Sequence, residues 1–221
     1  MENLIWPQIN NITLKSINGP NNVTVDGSNN DESVIYVGND QKQVNIEGLK
    51  ITGGYGSMAT FHGNIHFGGG ILIDEHVNAT IKNCVITGNG NTVSDHGGTY
   101  GGGIFVSRGS IVDINNSIIS NNKGGNGGQG ASVYYRNFSS KGSVKNSIIY
   151  NNSGSFYCQS SPINIINNTI YNNKLGVRPG EGTVTISNNV ILSQMLVHSG
   201  NWENGKLRSY HRETIFSVFG W

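Results

Sequence analysis

The chain has 221 residues, among them 32 Gly and 33 Asn, with only 12% charged residues and a formal net charge of +1. That balance excludes electrostatic capture of nucleic acid or of an anionic membrane surface. No run approaches the 18 or so apolar residues of a membrane span, so membrane insertion is not expected either.

In chain order, the first segment with structural meaning is Asn11–Pro20, which reads as one turn of a stack already under way. Met1 to Pro20 lacks a basic start and an apolar run, so no secretory leader is read there. The expectation is a fragment of a longer protein whose leader is missing with its N-terminus. A loose repeat follows at Ile46-Glu47-Gly48-Leu49-Lys50-Ile51. It sharpens into five segments of form N-x-x-I, beginning at Asn83, Asn116, Asn146, Asn167 and Asn188. Each carries a second aliphatic five residues before its final Ile: Ile81, Ile114, Val144, Ile165 and Ile186. The first four carry another Asn three residues after that Ile: Asn89, Asn122, Asn152 and Asn173.

Two aliphatics five apart would face opposite sides of one straight strand. They face the same way if the intervening Asn or Gly sits in a left-handed bend, which those residues tolerate best. The unit is therefore strand, one-residue bend, strand. Stacked copies would put Ile on Ile in the core and form an asparagine ladder at the bend, with amides bonded along the stack. Cys84, Ser117, Ser147, Asn168 and Asn189 would share the inner face. The predicted fold is an all-β parallel β-helix, a solenoid of about seven coils.

The repeat lengths are uneven. From Ile51 through Ile86, Ile119, Ile149, Ile170 and Ile191 the steps are 35, 33, 30, 21 and 21 residues. The short steps are close to the minimum for a three-strand coil, so the long ones must shed loops: Gly53 to Gly70, Gly88 to Gly103, and Lys123 to Gly130. Loops leaving successive coils at one place form a shared wall, where function on a rigid scaffold is expected. The glycine runs Gly68–Gly70 and Gly101–Gly103 lead into strands rather than helices. They read as turns rejoining the stack and not as phosphate loops. Residues 1–193 are read as one domain, and 194–221, which lack the repeat, as a cap or a foreign tail. Cys84 and Cys158 should lie three coils apart, about 14 Å at strand spacing, too far for a disulfide.

The candidate chemistry sits in the loops. Tyr55, Phe61, His62, His66 and Phe67 occupy the first, and Asp95, His96 and Tyr100 the second. His62, His66, Asp95 and His96 could hold a divalent metal (zinc or calcium), or supply acid–base groups near neutral pH. Loop histidines are also commonly solvated or bonded to backbone, and no tight ligand spacing decides between the two. Arg108 falls one repeat after Glu75. It reads as half of a surface ion pair or as a clamp for a sugar carboxylate. Tyr134, Tyr135, Arg136 and Phe138 form an aromatic–basic run that either stacks on sugar rings or packs beneath the loops. The acids Asp26, Asp31, Asp40, Asp74, Glu75, Asp95 and Asp113 are scattered, with no facing pair of the kind a glycosidase needs.

The residues Gly48 to Gly54, the Gly68–Ile71 and Gly101–Ile104 turns, and the N-x-x-I-x-x-N segments resemble the parallel β-helix superfamily with the pectin lyase-like fold. In style they are closest to bacterial surface proteins with polymorphic-outer-membrane-type repeats, over residues 11 to 193. The resemblance implies a right-handed helix and an extracellular or cell-surface setting. It leaves two functions open. One is polysaccharide binding without cleavage, through Tyr55, Phe67, Tyr134, Tyr135 and Arg136. The other is polysaccharide cleavage or metal-assisted hydrolysis by the loop wall, with His62, Asp95, His96, Tyr100 and Arg108 as catalytic candidates.

Overall fold

The fold is seen in a computed structural model, which describes residues 3–28, 31–38, 40–58, 65–90, 99–124, 130–136, 139–154, 156–159, 161–174, 177–179 and 184–192. The tail 194–221, expected as a cap or foreign sequence, lies outside them, as do Phe61, His62, Asp95, His96 and Phe138.

Three parallel sheets of seven strands each wrap around one core, so the described residues form seven coils. A representative coil runs through Ile104–Val106 in the first sheet, Ile111–Asn115 in the second and Ile118–Ser120 in the third. The repeat aliphatics stack in strict register. Ile46, Ile81, Ile114, Val144, Ile165 and Ile186 form one row. Ile51, Ile86, Ile119, Ile149, Ile170 and Ile191 form another. From Ile46 to Ile170 all are at most 1% exposed. Ile186 and Ile191, expected to be buried, are only partly so, because they belong to the last coil and have a stacking partner on one side alone among the described residues.

The bends adopt the expected conformation. Asn83, Asn116, Asn146, Asn167 and Asn188 have φ between 49° and 57°, and Gly48 has 68°. The bonding expected of them is found elsewhere. Their side chains are exposed, since a left-handed residue that turns the chain inward throws its own side chain outward. The next residue points in and satisfies the coil before it. Ser117 N–H donates to Ser147 Oγ at 3.1 Å, Ser147 N–H to Asn168 Oδ1 at 2.9 Å, and Asn168 N–H to Asn189 Oδ1 at 2.8 Å.

A second left-handed bend follows the third sheet, at Gly53, Gly88, Asn121, Asn151 and Asn172. Behind it lies a second inward row: Asn89, Asn122, Asn152 and Asn173. Asn122 shows how complete the bonding is. Its Nδ2 donates to Ile86 O at 3.0 Å and to Asn152 Oδ1 at 3.1 Å. Its Oδ1 accepts from the backbone N–H and the Nδ2 of Asn89, each at 3.1 Å. A buried amide with both donors and both lone pairs engaged adds specificity without the cost of an orphaned polar group.

The glycine runs are close approaches as well as turns. Gly101 has φ 65°, and a Cβ on Gly102 would lie 1.9 Å from the Lys123 carbonyl oxygen. Both cysteines are free and buried, three coils apart as expected. Burial pushes both thiols up from their ordinary value.

Two predictions test this core. Ile119→Ala should lower unfolding free energy by about 2–5 kcal/mol, read from the denaturant midpoint. A loss under 1 kcal/mol would mean that the row is not close-packed. Asn116→Gly should be milder than Asn116→Val, because a β-branched residue resists positive φ. Equal melting temperatures for the two would contradict the bend.

Candidate functional site

Five strands of the first sheet each present one side chain outward between two that face the core. Across five coils these are Tyr36, Leu72, Phe105, Tyr134 and Tyr157, paired in register. Such a row of large apolar side chains on an outer face cannot stay in water cheaply, and the long loops cover part of it. Ser57–Met58, His66–Phe67 and Thr99–Tyr100 form a three-stranded flap, in which the central strand runs antiparallel to the first and parallel to the last. The two loops expected to lie side by side do so through this pairing.

The flap brings its own aromatics onto the row. Phe67 packs on Phe105 with centroids 4.6 Å apart, and Tyr100 stacks on Phe67 at 5.8 Å and approaches Tyr134 at 5.9 Å. Phe105 meets Tyr134 edge-on at 5.3 Å, and Tyr134 meets Tyr157 at 4.8 Å. Phe67, Leu72, Phe105 and Tyr134 are buried, while Tyr36, Ile65, Tyr100 and Tyr157 remain partly exposed at the rim. Aromatic pairs of this kind contribute about 0.5–1.5 kcal/mol each beyond area burial.

Polar groups fix the edges. The Arg136 guanidinium lies 5.3 Å from the Phe67 ring centroid, a cation–π geometry. Burial lowers its pKa from the ordinary arginine value. The Tyr134 hydroxyl donates to Gln159 Oε1 at 2.6 Å. His66 Nδ1 is 2.7 Å from Gly56 O, and its ring meets Tyr55 edge-on at 5.0 Å. Thr99 Oγ1 donates to Tyr55 O at 2.7 Å, tying the two loops together.

The predicted residues thus divide. Phe67, Tyr100, Tyr134 and Arg136 come together, with Tyr55 and His66 beside them on the flap. Tyr135 does not join them. It faces the interior, is fully buried, and donates its hydroxyl to Val112 O at 2.8 Å. Period-two alternation sends adjacent strand residues to opposite faces, so Tyr134 and Tyr135 cannot share a surface, and the buried Tyr135 is out of reach of a sugar, contrary to expectation. Phe67 and Tyr134 are floor and not open platform. Arg108 lies away from the flap, at the turn between the first and second sheets, and pairs with Glu75 at 3.0 Å. His62, Asp95 and His96 lie outside the described residues. Among the described residues no group of three or more His, Cys, Asp or Glu side chains is arranged to hold a metal ion.

Tyr36, Leu72, Phe105 and Tyr157 escape a reading based on loops, since they are mid-strand residues. Their signal is positional: each sits between two inward-facing residues of a three-residue strand. At the far end of the row the Tyr36 hydroxyl donates to Asp74 Oδ2 at 2.9 Å. Burial raises the Asp74 carboxyl above its ordinary value. Burial and the bond to Asp74 push Tyr36 up to about 12. The folded value lies above the unfolded one, near ~10. Stability from this group is therefore complete below pH ~10 and lost as pH rises through about 12. Tyr36→Phe should flatten the fall of the urea midpoint across that interval. An unchanged slope would remove Tyr36 from the alkaline transition.

No curated protein matches the chain, and no solved structure does. A family described as the right handed beta helix region matches residues 8–205, running past the domain boundary expected at 193. With three parallel sheets wound around one core, as in the pectin lyase-like fold, the chain belongs to this right-handed β-helix family.

Proposed function

We propose that the protein is an extracellular β-helix of a cell-surface type that binds polysaccharide without cleaving it, at the rim of the outer aromatic cluster. The observation that carries this reading is the half-exposed pair Tyr100 and Tyr157, set against the buried Phe67, Phe105 and Tyr134, with Arg136 beside them. Aromatics already packed on one side lose little freedom when a sugar ring stacks on the other, and a few polar groups such as Arg136 and Gln159 orient the ligand. Of the acid–base candidates, His66 is engaged by the Gly56 carbonyl and Arg108 by Glu75, which gives both a structural task. The resemblance to surface repeat proteins supports the extracellular setting.

Affinity electrophoresis in gels cast with neutral and acidic polysaccharides tests the proposal. Retardation should be seen with at least one polymer. Tyr157→Ala and Tyr100→Ala should each weaken it roughly tenfold, equivalent to about 1.4 kcal/mol, while thermal melting stays cooperative. Arg136→Gln should act more on acidic polymers than on neutral ones. Unchanged retardation in both tyrosine variants would refute the site. Release of new reducing or unsaturated ends by the unaltered protein would replace binding with the alternative, cleavage by the loop wall.

A further inference from the structure

The outer face of the third sheet is a different side of the solenoid from the aromatic rim, which lies on the first. Two rows of side chains stand on it. One runs Val85, Ile118, Ile148, Thr169 and Val190, paired in register from coil to coil. The other runs Thr87, Ser120, Tyr150, Tyr171 and Leu192. Ile148, Val190 and Leu192 are 40%, 43% and 54% exposed, although each lies in a strand. The Tyr150 and Tyr171 rings stack 5.0 Å apart with their planes 1° from parallel, so they present one ordered surface. Neither row carries a charge over these five coils. Exposed bend asparagines border both rows, and on the far side Asn172 Nδ2 donates to Asn151 Oδ1 at 2.6 Å. Charges enter only toward the other end. Lys50 stands in the first row, and Asp26 stands in the second, one coil earlier. A contiguous apolar stripe with a polar rim marks an interaction surface.

We propose that this stripe is the interface of a two-fold dimer, in which two copies lie side by side with parallel solenoid axes and their third sheets face to face. A two-fold axis along the solenoid direction keeps coil opposite coil and reverses the strands, so the first row of one copy meets the second row of the other. Ile148 then meets Tyr150 of the partner subunit, Thr169 meets Tyr171 of the partner subunit, and Val190 meets Leu192 of the partner subunit. Each contact sets a smaller side chain against a larger one, and each occurs twice by symmetry. Lys50 falls one coil, about 4.8 Å along the axis, from Asp26 of the partner subunit, so the charged ends are complementary. A second copy also has the same axial repeat, so a match on one coil holds on all of them. The stripe is about 19 Å long over five coils and about 17 Å wide between its bends. With its side chains it offers on the order of 500 Å² per copy, which reaches the lower bound of about 1,000 Å² in total for a specific interface. Association in the micromolar range follows.

Sedimentation equilibrium of the full chain across the micromolar range tests this. The unaltered protein should show a reversible monomer–dimer equilibrium. Ile148→Lys and Tyr150→Glu should each raise the dimer dissociation constant at least tenfold, with an unchanged circular-dichroism spectrum. An equal mixture of the two variants should regain the unaltered affinity. In the mixed dimer one facing pair is the new lysine against the new glutamate, and the other is the original Ile148 against Tyr150. Should either variant fail to fold, Ile148→Ser should weaken the dimer in the same direction. The inference is overturned if the unaltered chain stays monomeric, which would leave the stripe to another occupant such as the segment after Leu192. It is overturned equally if a folded Ile148→Lys or Ile148→Ser protein dimerises as before, or if the mixture of folded variants associates no better than each alone.

Discussion

A single backbone residue in the left-handed region, repeated once per coil, is the constraint on which everything else rests. At Asn83, Asn116, Asn146, Asn167 and Asn188 the chain turns from the second sheet to the third without changing which face looks inward. Without that residue, Ile114 and Ile119 would point to opposite sides of a strand. With it, both enter the core and stack on their counterparts above and below. Asn and Gly reach this conformation at little cost, whereas a branched side chain would strain it. The abundance of these two residue types in the chain is thus a geometric requirement of the fold.

The bend would be untenable if it left polar backbone groups orphaned in the core. The residues directly behind the two bends prevent this. Ser117, Ser147, Asn168 and Asn189 serve one bend, and Asn89, Asn122, Asn152 and Asn173 the other, each bonding along the axis to its neighbour or to a carbonyl. Aliphatic rows supply most of the driving force. The inward amides and hydroxyls fix the phase of each coil relative to the next, because a slip by one residue would break bonds in both rows at once.

The solenoid was legible in the sequence because its constraint is local and periodic: Asn83 and Ile86 announce the same geometry as Asn188 and Ile191. The location of the bonded amides was less legible. The bend asparagine and the inward asparagine look alike as letters, and only the path of the chain separates Asn121, which faces solvent, from Asn122, which does not. The candidate surface was readable in part. Phe67 and Tyr100 stand out in the long loops, and Tyr134 and Arg136 in an aromatic–basic run. Tyr36, Phe105 and Tyr157 are hidden among inward-facing neighbours, and Tyr134 and Tyr135 are adjacent as letters although alternation sends them to opposite faces. The row becomes visible only when coils of unequal length are aligned on their bends.

The uneven coils also bear on how the molecule assembles. Stacked partners are separated by 21 residues between Asn152 and Asn173 but by 33 between Asn89 and Asn122. Closing the longer loop costs only about 0.4 kcal/mol more, since closure entropy grows with the logarithm of length. Every coil is therefore nearly as easy to add as any other once a neighbour exists to receive it. The difficult event is the first pairing of two coils, after which growth is a one-dimensional propagation along the axis. Insertions between the third and first sheets leave that propagation almost untouched, so this junction can be elaborated by evolution, or by an engineer, without renegotiating the stack.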